Sequence, residues 1–354
     1  MAEGSEPTSG STSSSGGTGG ARPEGRARAW LAVALRVALA VFGLVVIAVL
    51  VRRIGAEEVA AALERTAPVL PIAFVLDAAR IGCDAWSTRL MLGERGRVIP
   101  ARVLFLGHVV GHGVMNVFPA GRSASEAAKA ALFHRYLGAA EAISIGASNQ
   151  ANTLFSSGVF SLLCAGAAAI ATPDTTLVTA MLVHFVVLFV SGTGMRLAAT
   201  NRHVEAFFAH RFPRVGAHLG RFAAHSRETP IVAWGPVGAM MLGRLVQTIE
   251  YGVLAHAVGI SVGPLEALSV QGINLVAAAI GVLMPGQLGS SEAVFALAAD
   301  ALHTEAANAM TIALAAHLCA LTWAVVGLVL LFTWRAKAPA SEAVSDAPRA
   351  PRSS

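Results

Sequence analysis

The sequence predicts an all-α integral membrane protein, a polytopic helical bundle with two inverted repeats that each contain a re-entrant helical hairpin. The first observation behind this prediction is composition: 55% of the 354 residues are hydrophobic, only 13% are charged, and the mean hydropathy is +0.63. Several apolar runs are long enough to cross a hydrocarbon core about 30 Å thick. The second observation is that most basic residues lie in the loops between these runs. The net charge of +5 therefore indicates a topology signal and not a nucleic-acid partner.

The third observation is a motif that occurs twice, at an offset of 166 residues, over 119–127 and 285–293. Each copy is a proline, six residues and a glutamate, with serine before the glutamate and alanine after it. Proline and glycine interrupt helices, so each copy is predicted to be a turn between two helices. The run before the first turn, residues 104–118, makes a helix of roughly 22 Å, which is shorter than the hydrocarbon core. Two short helices joined by such a turn are typical of a re-entrant hairpin.

The chain begins with residues 1–28, which are rich in Gly, Ser and Thr and are predicted to form a disordered tail. An apolar run at 30–51 predicts the first membrane span. Residues 52–67 alternate charged and apolar residues at helical spacing, which is typical of a helix on the membrane surface. Two prolines then open a second span, which ends near residue 92.

After the first hairpin, the pattern predicts further spans at 141–171, 175–197, 230–258 and 306–334, with the second hairpin between the last two. A polar connector at 196–229 separates the halves, and the transmembrane domain is expected over 29–335. Residues 336–354 are predicted to form a second disordered tail.

Repeat one is expected at about 68–171 and repeat two at about 230–334. The 166-residue offset places Asp84 on Glu250. The single span at 175–197 lies between the repeats, and one extra helix gives them opposite orientations in the membrane, as in many transporters. The positive-inside rule then places both termini and the connector in the cytoplasm.

Glu126 and Glu292 are the first candidate site residues, since an ionisable group in an apolar segment is costly and usually functional. The alternative is a helix cap: Ser123 and Glu126 have the spacing of a capping box, and a carboxylate favours any helix N-terminus. The free N–H groups of each half-helix would also bind phosphate at that depth.

A second candidate set consists of charged residues within the spans, which form either an ion-pair network or a clamp in which arginine binds a phosphate: Asp77, Arg80, Asp84, Arg244 and Glu250. A polar stripe of His108, His112 and Asn116 lies on one helix face. No carboxylate or cysteine completes a metal-ligand set there, so we expect neither a metal nor a cofactor.

At the two turns the sequence resembles the lysylphosphatidylglycerol synthase transmembrane family, also called flippase-like proteins. The second turn, 285–292, matches the Pro-Gly-x-x-Gly-x-x-Glu turn of the family's second half. The first turn resembles the Pro–Gly–Glu turn followed by a basic residue of the family's first half, through Asn116, Pro119, Glu126 and Lys129. The resemblance implies two re-entrant hairpins and movement of a phospholipid between leaflets. The substrate-binding residues that it implies are Asn116, Pro119, Glu126, Lys129, Pro285, Gly286, Gly289 and Glu292. Synthase activity belongs to a separate cytosolic domain of the bifunctional members, and we do not expect it from this sequence.

The leading hypothesis is therefore a non-enzymatic, flippase-like transporter in the bacterial cytoplasmic membrane, working by alternating access with a membrane lipid as its partner. The chain has no ATP-binding loop, nucleophile elbow or zinc-protease motif. Two alternatives stay open. One is a membrane-embedded lipid-modifying transferase with Glu126 or Glu292 as general base. The other is a non-catalytic partner of a separately encoded lipid-synthesis enzyme. The sequence does not predict the oligomeric state.

Overall fold

The computed structural model describes residues 41–42, 44–118, 121–172, 174–211 and 232–336. Over these residues the protein is built from helices and turns, with no β-strand, which confirms the all-helical prediction. Both predicted tails, most of the predicted first span and most of the 196–229 connector lie outside the described residues.

The described part of the chain contains twelve helices. They are α1 (44–54), α2 (Ala56–Thr66), α3 (Leu70–Leu92), α4 (Ala101–Val117), α5 (Gly121–Leu137), α6 (Ala139–Ala171), α7 (Thr175–Thr200), α8 (Arg202–Arg211), α9 (Trp234–Ala257), α10 (Pro264–Ile280), α11 (Ser290–Leu297) and α12 (Ala306–Ala336). Short 3₁₀ turns at Ala67–Val69, Gly93–Arg97, Pro285–Gln287 and Asp300–Leu302 join some of them.

Four helical stretches in the described residues are long and apolar enough to cross a membrane: Ala56–Arg97, Glu141–Ala171, Thr175–Thr200 and Ala306–Leu331. The predicted span at 230–258 is not among them. Its helix α9 has 24 residues, about 36 Å of rise, but Arg244, Gln247 and Glu250 lower its hydropathy. These polar residues face the protein interior, where other helices cover α9.

Two predicted boundaries are wrong. The surface helix expected at 52–67 is broken at Gly55, whose φ of 118° ends one helix before α2 begins. The connector expected from residue 196 starts later, because α7 continues to Thr200. Arg196 is buried inside α7, where its Nη1 donates to Ser148 Oγ on α6 at 2.7 Å, so this arginine does not belong to an exposed loop.

The helices on either side of the two turns are short. Both α4 and α5 have 17 residues, α10 has 17 and α11 only 8, so none rises more than about 26 Å. The second turn combines the 3₁₀ residues Pro285–Gln287 with left-handed backbone at Gly286 (φ 60°) and Gly289 (φ 81°). Glycine adopts such φ values without steric cost, which explains the Pro-Gly-x-x-Gly pattern at this turn.

The helices from α3 to α6 pack in the same pattern as those from α9 to α12. The helix α3 packs along α9, α4 packs on α12, and α10 packs on α6. The pairs α4–α5, α5–α6, α10–α11 and α11–α12 are also neighbours. Exchanging α3 with α9, α4 with α10, α5 with α11, and α6 with α12 leaves this set of neighbours unchanged. The helix α7 has no counterpart in the exchange and packs mainly on α6.

The largest apolar core lies among α6, α7 and α9 to α12, and contains Phe160, Tyr251, Ile273 and Phe295. Tyr251 and Phe295 stack with ring centroids 5.9 Å apart. The Tyr251 hydroxyl points the other way and donates to Asn274 Oδ1 at 2.8 Å. The core therefore forms one wall of a polar interior. Tyr251 lies at this boundary, with its ring in the core and its hydroxyl in the polar interior.

Candidate functional site

A charged cavity lies between α3, α4, α5, α6, α9, α10 and α12. It holds about 1340 Å³ of empty space, counted to its open mouth. Among the described residues, its walls carry four basic side chains, four carboxylates and three histidines: Arg80, Arg122, Lys129, Arg244, Asp77, Asp84, Glu126, Glu250, His108, His112 and His317. Charged groups inside a membrane domain are costly, and they mark substrate or ion pathways.

Arg80 on α3 is fixed between two carboxylates of its own helix. Its Nη2 lies 2.6 Å from Asp77 Oδ1, and its Nη1 lies 3.6 Å from Asp84 Oδ2. The spacings of three and four residues predicted this shared face. Arg80 also reaches α4, where its Nη2 donates to His112 Nδ1 at 3.4 Å. Arg80 therefore serves as the counter-ion of Asp77 and Asp84.

Glu250, the counterpart of Asp84, lies on α9 across the cavity. Only 3% of this residue is exposed. Its Oε2 has no hydrogen-bond partner among the described residues. The structure thus brings Asp84 and Glu250 to the same cavity, but it pairs only Asp84 with an arginine.

Glu126 does not cap its helix. Because α5 is already helical at Gly121, Ser123 lies inside the helix and the predicted capping box is wrong. Glu126 Oε1 instead accepts from Lys129 Nζ at 2.6 Å and from Asn149 Nδ2 on α6 at 2.9 Å. The carboxylate therefore joins α5 to α6 on the cavity wall.

Glu292 does cap its helix, as the alternative interpretation predicted. Its Oε2 accepts from the Gly289 N–H at 2.8 Å in a capping box at the start of α11. Its Oε1 accepts from His317 Nδ1 on α12 at 2.7 Å. The side chain is fully buried, and His317, not Glu292, lines the cavity.

Each turn glutamate thus accepts a hydrogen bond from a polar residue of the next span. Asn149 lies 23 residues after Glu126, and His317 lies 25 residues after Glu292. Sequence reasoning missed His317. The signal that would have found it is a polar residue in the last span at nearly the same distance from its glutamate as Asn149.

Arg244 on α9 is held by neutral groups. Its Nη1 donates to Gln247 Oε1 at 2.8 Å, and its Nη2 donates to Ser157 Oγ on α6 at 2.7 Å. Arg122 at the start of α5 is the second residue that sequence reasoning missed. Among the described residues it makes no hydrogen bond or ion pair, and it faces the cavity. Its position directly after the first turn was the available signal.

A second cavity of about 900 Å³ opens beside the first. Several of its wall residues are apolar: Met115, Leu154, Leu188, Leu275, Val282 and Met284. Both cavities are lined by Asn116, Arg122, Gln150 and Gly286. The charged cavity therefore continues into a more apolar one, and Arg122 lies at their junction.

The second predicted turn meets the end of α4 at this junction. A side chain on Gly286 would lie 3.2 Å from the carbonyl oxygen of Asn116, so the second turn packs against the end of α4. Pro285 is buried and Gly289 is the N-cap of α11. Pro119 lies outside the described residues.

The two histidines of α4 contact different groups. His108 Nε2 lies 2.9 Å from Thr88 Oγ1, and His112 lies beside Arg80. In the part of the chain that the structure describes, no group of three or more histidine, cysteine or carboxylate side chains is placed to hold a metal ion.

The fold and the cavity define a polytopic helical membrane protein with a charged interior. The chain matches the family described as the lysylphosphatidylglycerol synthase TM region over residues 33–335, and it belongs to this family. The resemblance to this family is thereby confirmed. Comparison with curated proteins and with solved structures found no match. Membership places the chain among membrane proteins related to lipid metabolism or lipid flipping.

Proposed function

We propose that this protein moves a phospholipid or a related amphiphile between the two leaflets of the bacterial cytoplasmic membrane by alternating access. The observation that carries the proposal is the pair of joined cavities, one charged and one more apolar, inside a membrane domain. An amphiphile needs both environments, a polar one for its headgroup and an apolar one for its chains. A small polar solute would need only the first.

Alternating access in this proposal comes from two inverted repeats, one over about 68–171 and one over about 230–334. Three observations support the repeats. The turn motif recurs at an offset of 166 residues, the helix neighbours are unchanged when the two sets are exchanged, and each turn glutamate bonds to a polar residue of the following span. Within the described residues, α7 is the candidate membrane span between them, and one intervening span supports opposite orientations of the repeats. The proposal therefore treats both turns as re-entrant tips and places both termini in the cytoplasm.

The path of the headgroup follows from this arrangement. The second turn contacts the end of α4 at Asn116 and Gly286, where the two cavities join. A rocking motion of one repeat against the other would open this junction first to one side and then to the other. The headgroup would pass along Arg122 and Arg244 while its chains stay in apolar surroundings.

The geometry supports the transferase alternative less well. Glu292 is sealed from the cavity by its cap and by His317. Glu126 is neutralised by Lys129 at 2.6 Å. A general base needs a free acceptor within reach of the proton that it removes. Both oxygens of Glu292 and Oε1 of Glu126 already accept hydrogen bonds.

The test is a headgroup assay resolved by leaflet. The purified chain is reconstituted into vesicles that contain a trace of a phospholipid with a headgroup reporter, and an impermeant quencher reads the outer leaflet. We expect the reporter to cross faster than in protein-free vesicles, with the lipid mass unchanged. A chemically altered lipid would instead favour the transferase alternative. If neither flux nor product is seen, the proposed transport is wrong, and a non-catalytic partner role is favoured.

A further inference from the structure

We infer that Arg122 and Arg244 form an anion-binding subsite that holds the phosphate of the transported amphiphile at the junction of the two cavities. This inference rests on the proposed function and names the residues that recognise its substrate. The sequence analysis placed Arg80 and Arg244 among the clamp residues, and here we propose Arg122 in place of Arg80.

Two of the four basic side chains on the charged cavity already have carboxylate partners. Arg80 is held by Asp77 and Asp84, and Lys129 is held by Glu126. The remaining basic side chains on the charged cavity, Arg122 and Arg244, have no carboxylate within ion-pair distance among the described residues. A guanidinium in a membrane interior without a counter-charge is costly, and an anionic ligand would supply that charge.

The chemistry of the two arginines indicates that the bound anion is a phosphate. Guanidinium groups bind phosphate oxygens through two parallel N–H···O bonds, and such charge-assisted bonds are stronger than neutral ones. Arg244 uses Nη1 and Nη2 on Gln247 and Ser157, which fixes the plane of its guanidinium. Arg122 makes no such bond within the described residues, so its guanidinium N–H groups are available to a ligand in the cavity.

The positions of the two arginines also suit the phosphate of a phospholipid. Arg122 lines both cavities. Arg244 lines the charged cavity and bonds to Ser157, which lines the more apolar one. A phosphate between these arginines would therefore lie where a phospholipid needs it, with the headgroup towards Glu126 and the chains towards Leu154 and Leu188.

The test measures lipid binding in detergent and therefore does not depend on transport across a bilayer. The full chain in detergent is titrated with dihexanoyl phosphatidylglycerol and, separately, with inorganic phosphate. We expect Arg122→Gln and Arg244→Gln each to weaken binding of the lipid about tenfold or more, as for a lost bond to a charged group. The lipid affinity of Arg122→Lys should lie between those of the wild type and Arg122→Gln, because lysine keeps the charge and loses the paired bonds. Arg97→Gln is the matched control, since Arg97 is 75% exposed and lies outside both cavities.

The two probes separate the sources of phosphate. Tighter binding of the lipid than of inorganic phosphate, with both weakened in the Arg122 variants, supports a phospholipid subsite. Equal affinities would overturn the lipid assignment in favour of free phosphate. Lipid affinity in both glutamine variants equal to that of Arg97→Gln would overturn the subsite itself. Binding and transport are measured separately. If the chain binds the lipid through these arginines but moves no lipid, the proposed transport is wrong and the subsite is not.

If Arg122→Gln does not fold, Arg122→Lys decides the question. A folded lysine variant with undiminished lipid affinity contradicts the paired bonds that the inference requires. Melting temperature is measured beside affinity for every variant. We expect it to stay near the wild-type value for Arg122→Gln, because Arg122 makes no hydrogen bond or ion pair within the described residues.

Discussion

Replacing Arg80 with alanine is expected to destabilise the protein by about 3–5 kcal/mol, the usual result of removing one partner of a buried ion pair. The Asp77 side chain is 5% exposed and lies 2.6 Å from the Arg80 guanidinium. Without Arg80, this carboxylate would be buried without its counter-charge. The measurement is thermal unfolding of the purified variant in detergent.

The control for this prediction removes both charges. In the variant Arg80→Ala with Asp77→Asn, no unpaired carboxylate is left at position 77, and most of the lost stability should return. Arg97→Ala, at an exposed arginine that forms an ion pair with exposed Glu94, should change stability by less than about 1 kcal/mol. A single Arg80→Ala variant that melts like the wild type would show that the pair does not hold α3 in the fold.

Replacing Gly327 with alanine is expected to cost about 3 kcal/mol, at the upper end of the usual range for overpacking. A Cβ at this position would overlap the carbonyl oxygen of Val109, and Gly113 Cα lies 3.2 Å away. Both neighbours are backbone atoms of α4, so no side chain can turn aside. The two helices would have to separate where α4 packs on α12, close to the end of α4 that lines the cavities.

Gly238 on α9 provides the comparison, because no atom lies within 4 Å of a Cβ placed there. Alanine favours a helix over glycine by up to about 1 kcal/mol, so Gly238→Ala should leave the melting temperature unchanged or raise it. If Gly327→Ala and Gly238→Ala have the same effect, the close contact of α4 with α12 is not a requirement of the fold.

Composition and periodicity were sufficient for the helical membrane class, because both properties are written locally along the chain. They also predicted that Asp77, Arg80 and Asp84 share a face, since three- and four-residue spacings fix this within one helix. The preference of a carboxylate for a helix N-terminus correctly indicated the cap at Glu292. The capping-box spacing failed at Glu126, because α5 is already helical at Gly121 and Ser123 is therefore not its N-cap.

The two missed residues required knowledge of contacts between helices. Arg122 follows a turn, and only the arrangement of α5 against α9 shows that it shares a cavity with Arg244. His317 lies in an apolar span, where a single histidine gives no periodic signal. Its partner Glu292 is 25 residues away, and that pairing exists only because α11 folds back on α12.

The central claim is that the junction of the two cavities opens in turn to each side of the membrane, and cysteine accessibility at Asn116 tests it most directly. Asn116 lines both cavities and lies beside Gly286 of the second turn. In a chain whose cysteines at 83, 164 and 319 are replaced by alanine, Asn116→Cys is exposed to an impermeant thiol reagent from one side at a time, in right-side-out and in inverted vesicles. The account predicts labelling from both sides, and less labelling when dihexanoyl phosphatidylglycerol is present. Labelling from one side only, with and without the lipid, would contradict it.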